Sequence, residues 1–187
     1  MRVWTIQKPE AYADLIKNGY YRANSAYIEE SKKQAYDWHA HQLETRICPK
    51  PADTEYPVWA WFKKDNLQKK PDFRMAGYAQ EGTELVCLEL EVPNELVLLS
   101  DYDDWTFVLN DLYLHDTARE SDWEIENEML ESLSEDELRR AKEISWEKIF
   151  DIRQTYTIKA CRGINVQAAF WEIKREYLRN TWFFKAK

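Results

Sequence analysis

The sequence predicts an α+β fold: a mostly antiparallel sheet, helices after the first strand, and a helical block at about residues 100–152. Three observations carry this expectation. Stretches of period-two alternation and of helical periodicity are both present. They do not alternate regularly, as an array of parallel crossovers would require. The chain of 187 residues, 44% hydrophobic and 32% charged, fits one soluble domain. Residues 1–187 are therefore read as a single domain with an acidic helical insertion at about 116–144, and no internal repeat is visible.

The elements follow in order. Residues 3–7 are dense in β-branched and aromatic side chains and read as a strand. Pro9 suits the first position of a helix and Gly19 the position past its end, with Tyr12, Leu15 and Ile16 as the apolar stripe. A short extended piece at 20–23 precedes a helix at about 31–47, striped by Tyr36, Ala40, Leu43 and Ile47 and stopped by Cys48 and Pro49. Residues 58–62 form a strand that places Trp59 and Trp61 on one face. In residues 85–92, Val86, Leu88, Leu90 and Val92 are expected inside, with Glu89 and Glu91 outside. After a turn at Pro93 and Asn94, residues 95–99 read as another strand. Ser100 or Asp101 then caps a helix whose buried face is Trp105, Val108, Leu109 and Leu112. Ser134 and Glu137 make a capping box for the helix through Leu138 and Ala141, and 145–150 adds a helical turn or two. Strands are expected at 155–160, 166–173 and 181–185, with a turn at 175–178.

Composition excludes several functions. Only four glycines occur, where average usage would give about 13. There is no G-x-G-x-x-G, and Gly77 and Gly82 are followed by Thr83 and Glu84 without the lysine of a phosphate loop. The net charge of −8 is uneven: residues 81–147 carry 21 acids against four bases, while both ends are net basic. That balance argues against duplex DNA, whose phosphates need a broad basic footprint. It leaves room for a local cationic pocket. Three cysteines, none in C-x-x-C, suit a reducing cytoplasm. No signal-peptide pattern or membrane-length apolar run is present, so a cytoplasmic protein without membrane contact is expected.

No metal and no cofactor is expected. His39 and His41 are two apart on a helix and point in opposite directions, so they cannot share an ion. Asp101, Asp103 and Asp104 resemble the start of a calcium loop, but Thr106 and Leu112 stand where glycine and the final acid belong. No nucleophile-elbow motif surrounds the serines. The nine tryptophans are a large excess. Trp4, Trp38, Trp105 and Trp146 fall on apolar faces and read as core. Trp59 and Trp61 either pack inside or line a groove able to stack on a ring. Arg74 is either an anion clamp held by Asp72 or half of a local ion pair. Gln167 lies amid apolar residues and needs a partner, from the protein or from a ligand.

Several stretches resemble a bacterial family catalogued as a domain of unknown function. They are Val3-Trp4-Thr5-Ile6-Gln7, Ala35-Tyr36-Asp37-Trp38, Tyr56-Pro57-Val58-Trp59-Ala60-Trp61 and Pro71-Asp72-Phe73-Arg74, then Leu99-Ser100-Asp101 with Trp105 and Leu109-Asn110, Ser145-Trp146-Glu147-Lys148-Ile149-Phe150-Asp151, and Val166-Gln167-Ala168-Ala169-Phe170-Trp171-Glu172-Ile173. The resemblance runs nearly end to end and brings no activity. A second resemblance, to ADP-ribosyltransferase-like folds, lies in Trp4-Thr5-Ile6-Gln7, the following helix and Gly19-Tyr20. There Thr5 replaces the usual histidine, and Gln167 or Ala169 the usual glutamate. This second resemblance implies an enzyme with a diverged site that would draw a carboxylate from elsewhere, such as Asp101 or Glu172.

The leading expectation is a small-ligand-binding domain. Its ligand is anionic or aromatic, nucleotide-like, and held by Trp59, Trp61, Asp72, Arg74, Asp101, Asn110 and Gln167. The alternatives are the ADP-ribosyltransferase-like enzyme and an interaction module whose acidic 116–144 segment docks a basic protein partner.

Overall fold

A computed structural model describes residues 1–23, 26, 28–115, 120–156 and 161–187. The elements are β1 (Arg2–Gln7), α1 (Pro9–Asn18), β2 (Tyr20–Arg22), α2 (Lys33–Arg46), β3 (Val58–Lys63), β4 (Glu84–Glu91), β5 (Leu98–Asp101), α3 (Tyr102–Leu109), α4 (Glu120–Glu131), α5 (Glu135–Trp146), β6 (Thr155–Tyr156), β7 (Cys161–Arg162), β8 (Val166–Phe170), β9 (Glu172–Lys174) and β10 (Leu178–Lys185). Six strands form one sheet in the order β10-β4-β1-β3-β8-β5, and β2-β9 and β6-β7 form two small ribbons. Each of these pairings is antiparallel. The fold is therefore α+β, as the sequence predicts.

Local signals explain the boundaries. Pro9 opens α1, and Gly19 closes it at φ 84° with its N–H donating to the Leu15 carbonyl. Asp101 caps α3, and the Ser134–Glu137 capping box opens α5. Alternation then sorts β3 onto two layers. Val58 and Ala60 join Val3, Val86, Leu88, Leu90, Ala168 and Phe170 in a core covered by Leu15 of α1 and Ile173 of the β2-β9 ribbon. Trp59 points the other way, toward Trp105 of α3, Ala35 of α2 and Ile149.

Layers on both faces explain where the sequence reading departs from the structure. β4 is an interior strand, flanked by β10 and β1, and Leu85, Val86, Cys87, Leu88, Glu89 and Leu90 are all buried. Glu89, expected outside, is 7% exposed; it accepts a hydrogen bond from Asn180 at 2.5 Å and pairs with Arg2 at 3.4 Å. Residues 95–99 divide into a 3₁₀ turn, Asn94–Leu96, and β5. The strand expected over 166–173 breaks at Trp171, after which β9 joins β2 instead. α3 ends at Leu109, which leaves Leu112 exposed. The turn expected at 175–178 is a 3₁₀ turn, Arg175–Tyr177, and β10 begins at Leu178. Of the strand expected at 155–160, residues 157–160 lie outside the described residues, as do 116–119 of the acidic segment. Within that segment α4 leaves Ile125 and Met129 exposed. Among the described residues, no helix is long and apolar enough to cross a membrane.

Candidate functional site

Residues directly opposite in an antiparallel ladder share a face, with Cβ atoms about 4.5–5.5 Å apart. The registers therefore define one row across all six strands: Asn180, Glu89, Trp4, Trp61, Gln167 and Ser100. Trp59 lies on the same face, opposite Ala169. Over the β1-β3-β8 part of this face opens a cleft of about 420 Å³, floored by Trp4, Ile6, Trp59, Trp61 and Gln167. Tyr102, at the start of α3, and Lys64, just past β3, form one wall; Ala76, Gly77 and Tyr78 form the other.

The floor is aromatic but not apolar. Trp4 Nε1, Trp59 Nε1 and Gln167 Oε1 are buried and find no hydrogen-bond partner among the described residues. Nor does Ser100 Oγ, beside Gln167 in the row. Buried polar groups are nearly always paired, and each one left alone costs about 1–3 kcal/mol. Four such atoms lie on one sheet face.

The two indoles of β3 behave differently. Trp59 is locked among aromatic rings, with Tyr36 at 6.0 Å, Trp105 at 5.0 Å and His39 at 4.3 Å between centroids. His39 is fully buried, and burial pulls its pKa down to about 3, so it packs as a neutral ring. His41, two residues on, is exposed, and no metal-ligating cluster occurs among the described residues. Trp61 instead flanks the cleft beside Tyr102, at 4.8 Å, with Lys64 Nζ 5.5 Å from its ring centroid.

Of the residues singled out from the sequence, the cleft brings together Trp59, Trp61 and Gln167. Asp72 and Arg74 are not in its lining. The guanidinium grips the carboxylate at two points, Nε to Oδ1 at 2.9 Å and Nη2 to Oδ2 at 2.7 Å, and the Arg74 side chain is 82% exposed. That grip holds the Asp72 carboxyl well below the usual carboxylate range. The pair stiffens a segment that Phe73 anchors by stacking on Phe184 at 4.3 Å and that Tyr78 ties back through its hydroxyl to the Asp72 carbonyl. The same segment supplies the second wall.

Asp101 pairs in register with Val166, on the face opposite Ser100. Its carboxylate accepts N–H donors from Asp103, Asp104 and Gly163 at 2.6–3.0 Å, while burial pushes its pKa up. Asn110 caps the far end of α3, where it donates to the Thr106 carbonyl and accepts from Lys32. Trp171 is buried at the strand break, its N–H on the Cys48 carbonyl.

Sequence reasoning missed Trp4, Lys64 and Tyr102 as parts of the cleft. Trp4 was legible in principle, since pairing of the first and third strands puts it opposite Trp61. The lining combines indole N–H and phenol groups, one amide and one ammonium; among the described residues it includes no carboxylate, imidazole or thiol. Such a set can hold a ring and orient it. Cys87 is buried in β4, its thiol pushed up to about 12 by burial, so it is an inert packing residue.

A family model described as "Domain of unknown function (DUF3841)" covers residues 2–179. No curated protein and no solved structure matches the chain.

Proposed function

The chain belongs to that family, and from this premise we propose that it binds a small planar, nucleotide-like ligand in the Trp4–Trp61–Gln167 cleft. The observation that carries the reading is the set of buried, unpartnered polar atoms in an aromatic floor: two indole donors and one amide acceptor. A heterocycle whose edge offers both acceptors and donors complements that set, as the edges of nucleobases do. Its faces would lie against Trp61 and Tyr102, where stacking on an aromatic side chain contributes about 1–3 kcal/mol per base. The volume of about 420 Å³ is within the range of small-molecule sites.

Binding fits this lining better than group transfer. An ADP-ribosyltransferase-like reaction would need a carboxylate beside Gln167. Asp101 belongs to the opposite face of β5, and Glu172 lies beyond the Trp171 break, held by Arg22 at 3.1 Å.

Titration of intrinsic tryptophan fluorescence with nucleosides and nucleotides tests the proposal. Quenching at saturating ligand is expected. Gln167→Leu, which deletes the amide without opening a cavity, should weaken binding by about tenfold or more, since losing one buried hydrogen-bond partner costs about 1–3 kcal/mol. No quenching by any member of the panel, or undiminished affinity in Gln167→Leu, would refute it.

A further inference from the structure

The cleft has a chemical polarity. Residues 64–67 form a tight turn, closed by the Lys64 N–H on the Leu67 carbonyl at 3.0 Å and the Leu67 N–H on the Lys64 carbonyl at 2.9 Å. Its two central residues, Asp65 and Asn66, are left-handed at φ 52° and 61°. That is the geometry of a two-residue hairpin turn, here built without glycine.

The surroundings hold this conformation. The Asn66 N–H donates to the Ile164 carbonyl at 3.0 Å, and the Asp65 N–H donates to Asn165 Oδ1 at 2.9 Å. Asn165 in turn donates to Asp103 Oδ2 at 2.9 Å, and its carbonyl accepts from the Tyr102 N–H at 2.8 Å. The turn is thus fixed to Ile164 and Asn165, just ahead of the strand β8 that supplies Gln167, and through Asn165 to α3, which supplies Tyr102.

This frame delivers Lys64 to the cleft. Its side chain is half-buried, with the ammonium over the Trp61 ring. Among the described residues no carboxylate lies within ion-pair distance of Nζ. Lys64 is also the cation in the lining of a chain whose net charge is −8. An ammonium held over an aromatic ring at a cleft without a counter-charge suits an anionic ligand group.

We infer that Lys64 is the residue that selects for charge: the ligand is a planar heterocycle carrying one anionic group, phosphate or carboxylate, which Lys64 receives at the Trp61 end. This rests on the ligand-binding reading above and adds the ligand's charge class to it. A single ammonium also means that additional phosphates gain little, so a triphosphate should bind no more tightly than a monophosphate.

The test compares neutral and anionic partners built on the same ring: adenosine against AMP and ATP, and uracil against its 6-carboxylate. In the wild-type protein the anionic member of at least one pair should bind about tenfold more tightly, the scale of one charge-assisted contact. That preference should shrink with added salt. Lys64→Met should erase the preference, and Lys64→Arg should restore it. A preference that survives in Lys64→Met, or none in the wild type, overturns the inference while leaving the cleft reading intact. If none of the five compounds binds the wild type, both fall together. Should Lys64→Met fail to fold, the salt dependence of the wild-type preference decides: a preference insensitive to salt overturns the assignment.

Discussion

At the residue scale, the informative side chains are polar atoms in apolar surroundings. Trp4, Trp59, Gln167 and Ser100 each bury an atom that the described protein does not satisfy, and His39 buries two. His39 has a consequence independent of any ligand. Its folded-state pKa is about 3, against an ordinary value of about 6.5. Between those values the unfolded chain binds a proton that the folded chain refuses, so stability is full above the ordinary value and falls as the pH drops toward the folded one. The slope from this one group is at most about 1.4 kcal/mol per pH unit. Thermal melts from neutral to mildly acidic pH should show a flatter dependence in His39→Phe than in the wild type; identical slopes would disprove it. Some of this was legible in the sequence. Gln167 stood out because an amide amid Val166, Ala168 and Ala169 must find a partner. Lys64 did not, because a lysine beside another lysine looks like any solvated loop until the turn geometry is known.

At the scale of elements, signals confined to a few residues were readable and long-range ones were not. Pro9, Gly19, Asp101 and the Ser134–Glu137 box do what local chemistry dictates, because caps and stops depend on neighbours in sequence. The break at Trp171 was invisible, since Val166 to Ile173 is continuously suited to a strand. Only the packing of Trp171 against Leu43 and Tyr56, with its indole on Cys48, diverts the chain to the second ribbon. Glu89 was misplaced for the same reason: alternation shows one face of a strand, not whether the other face is also covered. Two glycines separate local from tertiary constraint. Both are left-handed, Gly19 at φ 84° in open space and Gly163 at φ 77° with the Ile152 carbonyl 2.4 Å from where a Cβ would sit. Gly19→Ala should cost about 1–2 kcal/mol, the left-handed penalty alone. Gly163→Ala should cost clearly more, because the contact is with backbone and the Gly163 N–H also serves Asp101. Denaturant titration of the two variants checks the order, and equal losses would contradict it.

At the scale of the whole molecule, the sheet joins distant parts of the chain. The fold class was legible because helical and strand periodicities occur in an order that no parallel array uses. The strand order β10-β4-β1-β3-β8-β5 was not, because it depends on which surfaces complement one another once the helices are docked. The same limit hid the cleft, whose floor draws on residues 4, 59, 61 and 167. The strand order also has a consequence for the birth of the protein. β1 must wait for both neighbours: β3 begins more than fifty residues later, β4 later still, and β10, which covers the outer edge of β4, follows them all. Until β10 is made, then, the nascent chain leaves the outer edge of β4 unpaired, an invitation to pair with another copy. A chain stopped after Tyr177 should sediment as aggregates and be returned to monomer by a peptide of residues 178–187 supplied separately; a truncated chain that stays monomeric by itself would show that the edge is shielded some other way. The row that floors the cleft ends at Asn180, on β10, so that face of the sheet is complete only once β10 has docked.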